Sequence, residues 1–91
     1  MIILFTNRKV TNYLVLNGEE TITIYQDSDY IEAGFEAYNS KKEDITNRVT
    51  IKSTLNTNKI GEYEITYTIG EITRTRIIKV IEKPKEYTYI Y

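Results

Sequence analysis

The chain has 91 residues, enough for one domain that buries roughly 60–65% of the surface its unfolded form exposes. Twelve Lys and Arg against thirteen Asp and Glu leave a formal charge of −1 with both signs interspersed, so nucleic acid and anionic membrane surfaces are disfavoured as partners. The chain has no Cys, which removes disulfides, thiolate zinc sites and cysteine nucleophiles, and no His, which removes the usual general base near neutral pH, so neither a cofactor nor a catalytic residue is expected.

Met1-Ile2-Ile3-Leu4-Phe5 is apolar but too short for a signal-peptide core or a membrane span, and residues 2–5 are predicted to form a short strand. Residues 1–12 are assigned to an N-terminal strand or linker remnant, and a domain is predicted over 13–82. Tyr13-Leu14-Val15-Leu16 is an apolar run that ends at the turn signal Asn17-Gly18. Thr21-Ile22-Thr23-Ile24-Tyr25 alternates with Ile22 and Ile24 on one face, and Phe35-Glu36-Ala37-Tyr38 predicts a short strand with Phe35 and Ala37 inward. Val49-Thr50-Ile51-Lys52-Ser53 alternates again. The clearest strand is Gly61-Glu62-Tyr63-Glu64-Ile65-Thr66-Tyr67-Thr68-Ile69, where four apolar or aromatic side chains alternate with polar ones behind a glycine. Gly70-Glu71 then suits a two-residue hairpin into Ile72-Thr73-Arg74-Thr75-Arg76. After Ile81 the charged run Glu82-Lys83-Pro84-Lys85-Glu86 holds the only proline, so 83–91 is assigned to a linker and the start of a following segment.

These signals predict an all-β chain of about seven antiparallel strands in two sheets. The expected core is Ile22, Ile24, Phe35, Val49, Ile51, Ile65, Tyr67, Ile78 and Val80. Tyr63 stands two residues before Ile65, as the corner tyrosine of an immunoglobulin-type sandwich stands before a core position. Its hydroxyl is expected to bond a backbone group near Thr57 to Lys59. Gly61, Tyr63, Ile65 and Tyr67 are accordingly assigned structural roles.

From Leu14 to Val80 the order of motifs resembles the bacterial immunoglobulin-like domain family, found as tandem modules in surface and secreted proteins and in some insecticidal crystal proteins. The carrying residues are Leu16-Asn17-Gly18, then Tyr30-Ile31-Glu32-Ala33-Gly34, then Glu43-Asp44-Ile45-Thr46 with Val49, then Ile60-Gly61-Glu62-Tyr63-Glu64-Ile65-Thr66-Tyr67 with Thr73-Arg74 and Val80. Ala33 stands where the family usually has proline, and Lys42-Glu43 where it usually has an acidic-glycine pair. The resemblance implies a non-catalytic spacer or positioning module of a secreted or cell-wall-associated bacterial protein, with neighbouring domains of a larger parent as partners and no membrane insertion. An alternative is an accessory module that binds carbohydrate, such as cell-wall polysaccharide, or protein. Lys85-Glu86-Tyr87-Thr88-Tyr89-Ile90-Tyr91 is similar to the first strand of polysaccharide deacetylases, which implies that such a catalytic domain follows.

Three groups of residues have both a functional and a structural reading. Asp27, Asp29, Glu32 and Asp44, with Glu43, are hard oxygen ligands of the kind calcium takes from loops, yet Asp is equally a turn residue and the spacing is not that of a helix–loop–helix calcium site. Tyr87, Tyr89 and Tyr91 fall on one face of an extended segment, either as an aromatic platform for sugar stacking or as a strand that packs on something further along. Arg74 and Arg76 alternate with Thr73 and Thr75, either as a polysaccharide or teichoic-acid contact or, as is expected here, on the solvent face, where charge discourages edge-to-edge pairing. Glu19-Glu20 and Glu62 with Glu64 are acidic pairs without an implied cleft between them.

Overall fold

The computed structural model describes residues 12–85. The expected strand at 2–5 and the tyrosines 87, 89 and 91 lie outside the described residues. Six strands are present among those described: β1 (Tyr13–Leu16), β2 (Thr21–Tyr25), β3 (Phe35–Tyr38), β4 (Thr50–Ser53), β5 (Gly61–Ile69) and β6 (Ile72–Ile81), with a single 3-10 turn at Thr46–Arg48. They make a two-stranded sheet, β1-β3, and a four-stranded sheet in the order β2-β6-β5-β4. This is the sandwich anticipated from the alternation, with one difference: β2 runs parallel to β6, from Thr21 opposite Ile77 to Tyr25 opposite Ile81.

That parallel pair has a simple origin. β1 pairs antiparallel with β3 in one sheet, and the chain then crosses at Asn17–Glu20 to continue in the same direction in the other sheet. The crossing needs an abrupt turn, and Gly18 supplies it at a positive φ of 76°. A Cβ at Gly18 would stand 3.1 Å from that of Ala33, so the crossing and the loop before β3 are in close approach.

The core consists of Leu14, Ala37, Ile45, Ile65, Tyr67, Ile69, Ile78 and Val80, with Ile22, Ile24, Phe35 and Val49 packed around it. The odd-numbered face of β5 and the even-numbered end of β6 are therefore inward, as a period of two requires. Ile51 departs from expectation. It is 47% exposed although it sits opposite Tyr67 on the inward side. The two-stranded sheet lies over β6 and β5, with the Phe35 and Tyr67 rings 5.2 Å apart, and β4 at the edge extends past this cover.

Ile45 was not an expected core residue, and its burial follows from the motif around it. Asp44 Oδ1 accepts the Thr46 N–H at 2.9 Å and closes a tight turn, while Ile45 N–H donates to the Ala37 carbonyl and Ala37 N–H donates to Thr46 Oγ1. Ile45 is thereby pressed inward beside β3. The Thr46 hydroxyl first, and then the Thr46 N–H, hold the Asp44 carboxyl below its ordinary value.

Tyr63 turns its ring back over Gly61 and its hydroxyl donates to the Lys59 carbonyl at 2.6 Å. A Cβ at position 61 would lie in ordinary contact with that phenol, 3.4 Å from Tyr63 Oη. Tyr63→Phe keeps the ring and removes the bond, and is expected to lower the unfolding free energy by about 1 kcal/mol, read from the urea midpoint at unchanged slope.

Candidate functional site

The largest fully buried side chain is a charged one. Arg76 is 0% exposed and stands in β6 on the same face as Ile78 and Val80, which corrects the expectation that it faces solvent. A guanidinium cannot shed its charge inside a protein, so burial requires an acceptor for each of its five N–H groups. All five are present. Nε donates to Tyr67 Oη at 3.2 Å, Nη1 to the carbonyls of Asn17 and Glu19 at 2.8 and 2.6 Å, and Nη2 to Glu32 Oε2 and the Gly34 carbonyl, both at 3.0 Å.

Glu32 is the matching acceptor. Its Oε1 accepts from Tyr67 Oη at 2.6 Å and Tyr30 Oη at 3.0 Å, and its Oε2 accepts from Gly34 N–H at 2.8 Å as well as from Arg76. The four bonds fill the coordination of an ionised carboxylate. Partial burial raises the Glu32 carboxyl, but the Tyr67, Gly34 and Tyr30 donors and the Arg76 charge outweigh it and hold the group below its ordinary value near 4.5. The phenols shift in the opposite sense. Burial first, then the bond to the Glu32 anion, raises Tyr30 well above 10.0, and burial with Glu32 raises Tyr67 despite Arg76.

This cluster is saturated, with no lone pair on Glu32 and no N–H on Arg76 left for a substrate. Among the described residues no buried side-chain nitrogen or oxygen lacks a partner. What the arrangement does is mechanical: it ties the crossing at Asn17–Glu20, the loop Glu32–Gly34 and strands β5 and β6 to one point. The Asn17 N–H also donates to the Gly34 carbonyl at 2.9 Å, so the two loops are joined directly as well.

The acidic residues singled out as calcium ligands do not converge. Glu32 is occupied by Arg76, Asp44 caps the turn at Thr46, and Asp27 Oδ1 accepts from Asn58 Nδ2 at 2.8 Å. Among the described residues no three acidic side chains stand close enough to share a metal ion. Asp27 instead has a positive φ of 68° and joins the 26–29 loop to the 56–59 turn through its own N–H, which donates to the Thr57 carbonyl. Arg74 is exposed, but its Nε donates to the Leu14 carbonyl at 3.1 Å, so it too reaches from β6 to β1.

Sequence reasoning missed Arg76, although the signal was present. Ile78 and Val80 were expected in the core, and a continuous strand places residue 76 on their face. No helix among the described residues is long and apolar enough to cross a membrane.

Replacing Arg76 by Met takes this donor from the Asn17 and Glu19 carbonyls and from Tyr67 Oη, leaves the Gly34 carbonyl with the Asn17 N–H alone, and leaves the Glu32 carboxylate without its counter-charge. The expected loss in unfolding free energy is about 3 kcal/mol, measured by urea denaturation, with Arg76→Met/Glu32→Gln recovering part of it. The depressed Glu32 carboxyl also sets a pH dependence. The folded form binds this proton less readily than the unfolded chain, so its stabilisation is complete above the ordinary carboxyl value and is lost as pH falls through the depressed one. Thermal midpoints taken from neutral pH down to strong acid are expected to fall more steeply below about pH 4.5 in the parent than in Glu32→Gln.

Comparison with known proteins places this geometry. No curated protein matches the chain in sequence. Among solved structures it is similar to the lipoprotein BT2262 from Bacteroides thetaiotaomicron, with a TM-score of 0.74 and 29% identity over 82% of this chain. The chain spans 40% of the length of that lipoprotein. The family model described as bacterial surface protein, Ig-like domain, matches residues 14–80, a span that takes in the crossing, the Glu32 loop, the Asp44 turn and both long strands. With that match over most of its length and the sandwich around Arg76, the chain belongs to the Ig-like domain family of bacterial surface proteins.

Proposed function

We propose that this domain is a non-catalytic spacer that holds neighbouring domains of a secreted or wall-associated protein at a set separation. The observation that carries the reading is the placement of entry and exit. Asn12 lies against Gly70, at the tip of the β5–β6 hairpin, where a Cβ on Gly70 would stand 3.3 Å from Asn12 Nδ2. The chain leaves the sandwich at Ile81, at the far end of ten-residue β6, where Gln26 N–H donates to the Ile81 carbonyl. Nine steps along a strand separate the two ends by about 30 Å. A module that receives the chain at one pole and releases it at the other adds its length to whatever is attached. The saturated polar cluster favours the same reading, because its groups bond one another instead of facing a cleft.

A binding role is the competing reading, and one feature favours it. All four residues of β4 are exposed, β4 has one partner strand among those described, and Ile51 is uncovered. Lys52 on that strand works against pairing with a foreign edge. The accessory-to-deacetylase reading rests on residues 85–91 and is tested by the sequence that follows Tyr91 in the parent gene.

The chain lacks cysteine, so spin labels can be placed on Glu71→Cys at the hairpin and Glu82→Cys beyond β6. The expected result is one narrow distance distribution at roughly 35 Å, together with no retention on peptidoglycan or purified wall polysaccharide. Saturable retention on either glycan would overturn the spacer reading in favour of a binding module.

A further inference from the structure

The segment from Asn12 to Gln26 runs beside β6 along its whole length and in the same direction. Asn12 touches Gly70, Leu14 accepts from Arg74, Asn17 and Glu19 accept from Arg76, and Glu20 accepts from the Ile77 N–H at 2.8 Å. The parallel ladder of β2 on β6 follows, and the Gln26–Ile81 bond ends the series. The two stretches overlap like the plates of a lap joint. The first is continuous with the entering chain and the second with the leaving chain.

From this geometry we infer that the domain is a load-bearing clamp, in which tension applied between its two flanks is resisted by shear of the Asn12–Gln26 segment against β6. The inference rests on the spacer reading, since only a module within a longer chain is pulled from both sides. Tension draws the first stretch toward the hairpin pole and β6 toward the opposite pole. Every bond between them then lies across the direction of pull and is loaded together, whereas strands pulled apart from one end lose their bonds one at a time. Backbone bonds alone would cover only β2 and its flanks. The side chains of Arg74 and Arg76 extend the joint back to β1, and Arg76 adds two bonds to carbonyls of the crossing, where no ladder is possible. The same guanidinium is held from behind by Glu32 and Tyr67, so it cannot swing to follow the slipping strand. This assigns a function to a buried charged pair that fold stability by itself does not require, because well-packed apolar residues in place of a whole buried ion pair generally serve a core as well or better.

Single-molecule pulling on the full chain tests the inference in two geometries. With handles at the two chain ends, the unfolding force is expected to exceed by about twofold or more the force found when the handles are at the C-terminal end and at Glu62→Cys. Glu62 sits opposite Lys79, near the exit pole, so that second geometry peels β5 from β6. Arg76→Met is expected to lower the end-to-end force more than Ile45→Ala does. Ile45 is buried beside β3 and makes none of the hydrogen bonds between the two stretches, so its variant supplies a comparison in which stability falls while those bonds remain. Equal forces in the two geometries, or an Arg76→Met that loses no more force than Ile45→Ala, would overturn the clamp and leave the spacer reading standing. Glycan retention overturns the spacer reading without bearing on these forces.

Discussion

The burial of the Arg76 guanidinium is the constraint from which most of this structure follows. A permanent charge placed among Tyr67, Leu14, Ile78 and Val80 requires an acceptor for every N–H, and these are drawn from three separate stretches of chain: β5, the crossing, and the loop before β3, which gives both a carbonyl and a carboxylate. Each acceptor must arrive at a fixed distance and direction. The positions of Asn17, Glu19, Glu32 and Gly34 are therefore determined together rather than one by one. The crossing and the loop before β3 are thus held together by one side chain from β6.

The motifs shared with the family take on physical meaning in this light. In Tyr30-Ile31-Glu32-Ala33-Gly34, alternate residues build the carboxylate site: Tyr30 donates to Glu32, Glu32 receives Arg76, and Gly34 gives its N–H to Glu32 and its carbonyl to Arg76. Gly34 has a positive φ of 101°, and a Cβ there would stand 3.1 Å from Asn17 Nδ2, so the backbone can reach the guanidinium only without a side chain. Ala33 in place of the usual proline leaves this bonding intact, because position 33 contributes no group to it. In Asp44-Ile45-Thr46 the outer residues are hydrogen-bonded so that the middle one is buried.

Much of the fold was legible in the order of residues. Strand positions, the Gly70-Glu71 hairpin and the inward face of β5 follow from alternation of period two, which is local and survives any error in topology. The tyrosine at 63 was legible for a related reason, since its bond reaches only four residues back. Ile51 was assigned inward by the same alternation and is largely uncovered, because alternation reports which side of a strand a residue occupies and is silent on whether another sheet covers that side. Arg76 was misplaced for a different reason. Its charge outweighed its register, although Ile78 and Val80 two and four residues on set the face.

The order of amino acids alone established the strands and the corner tyrosine, because each depends on neighbours a few residues apart, and it pointed to the sandwich and the family through the sequence of motifs from Leu14 to Val80. Folding in three dimensions decided what those residues serve. Arg76 and Glu32 are 44 positions apart, and Arg76 and Asn17 are 59 apart, so no local pattern relates them. The parallel run of β2 beside β6 is likewise a property of the crossing, not of either strand. A charge becomes a structural bolt only when its acceptors are brought around it, and that closure is a long-range event that the pattern of side chains along a strand does not record.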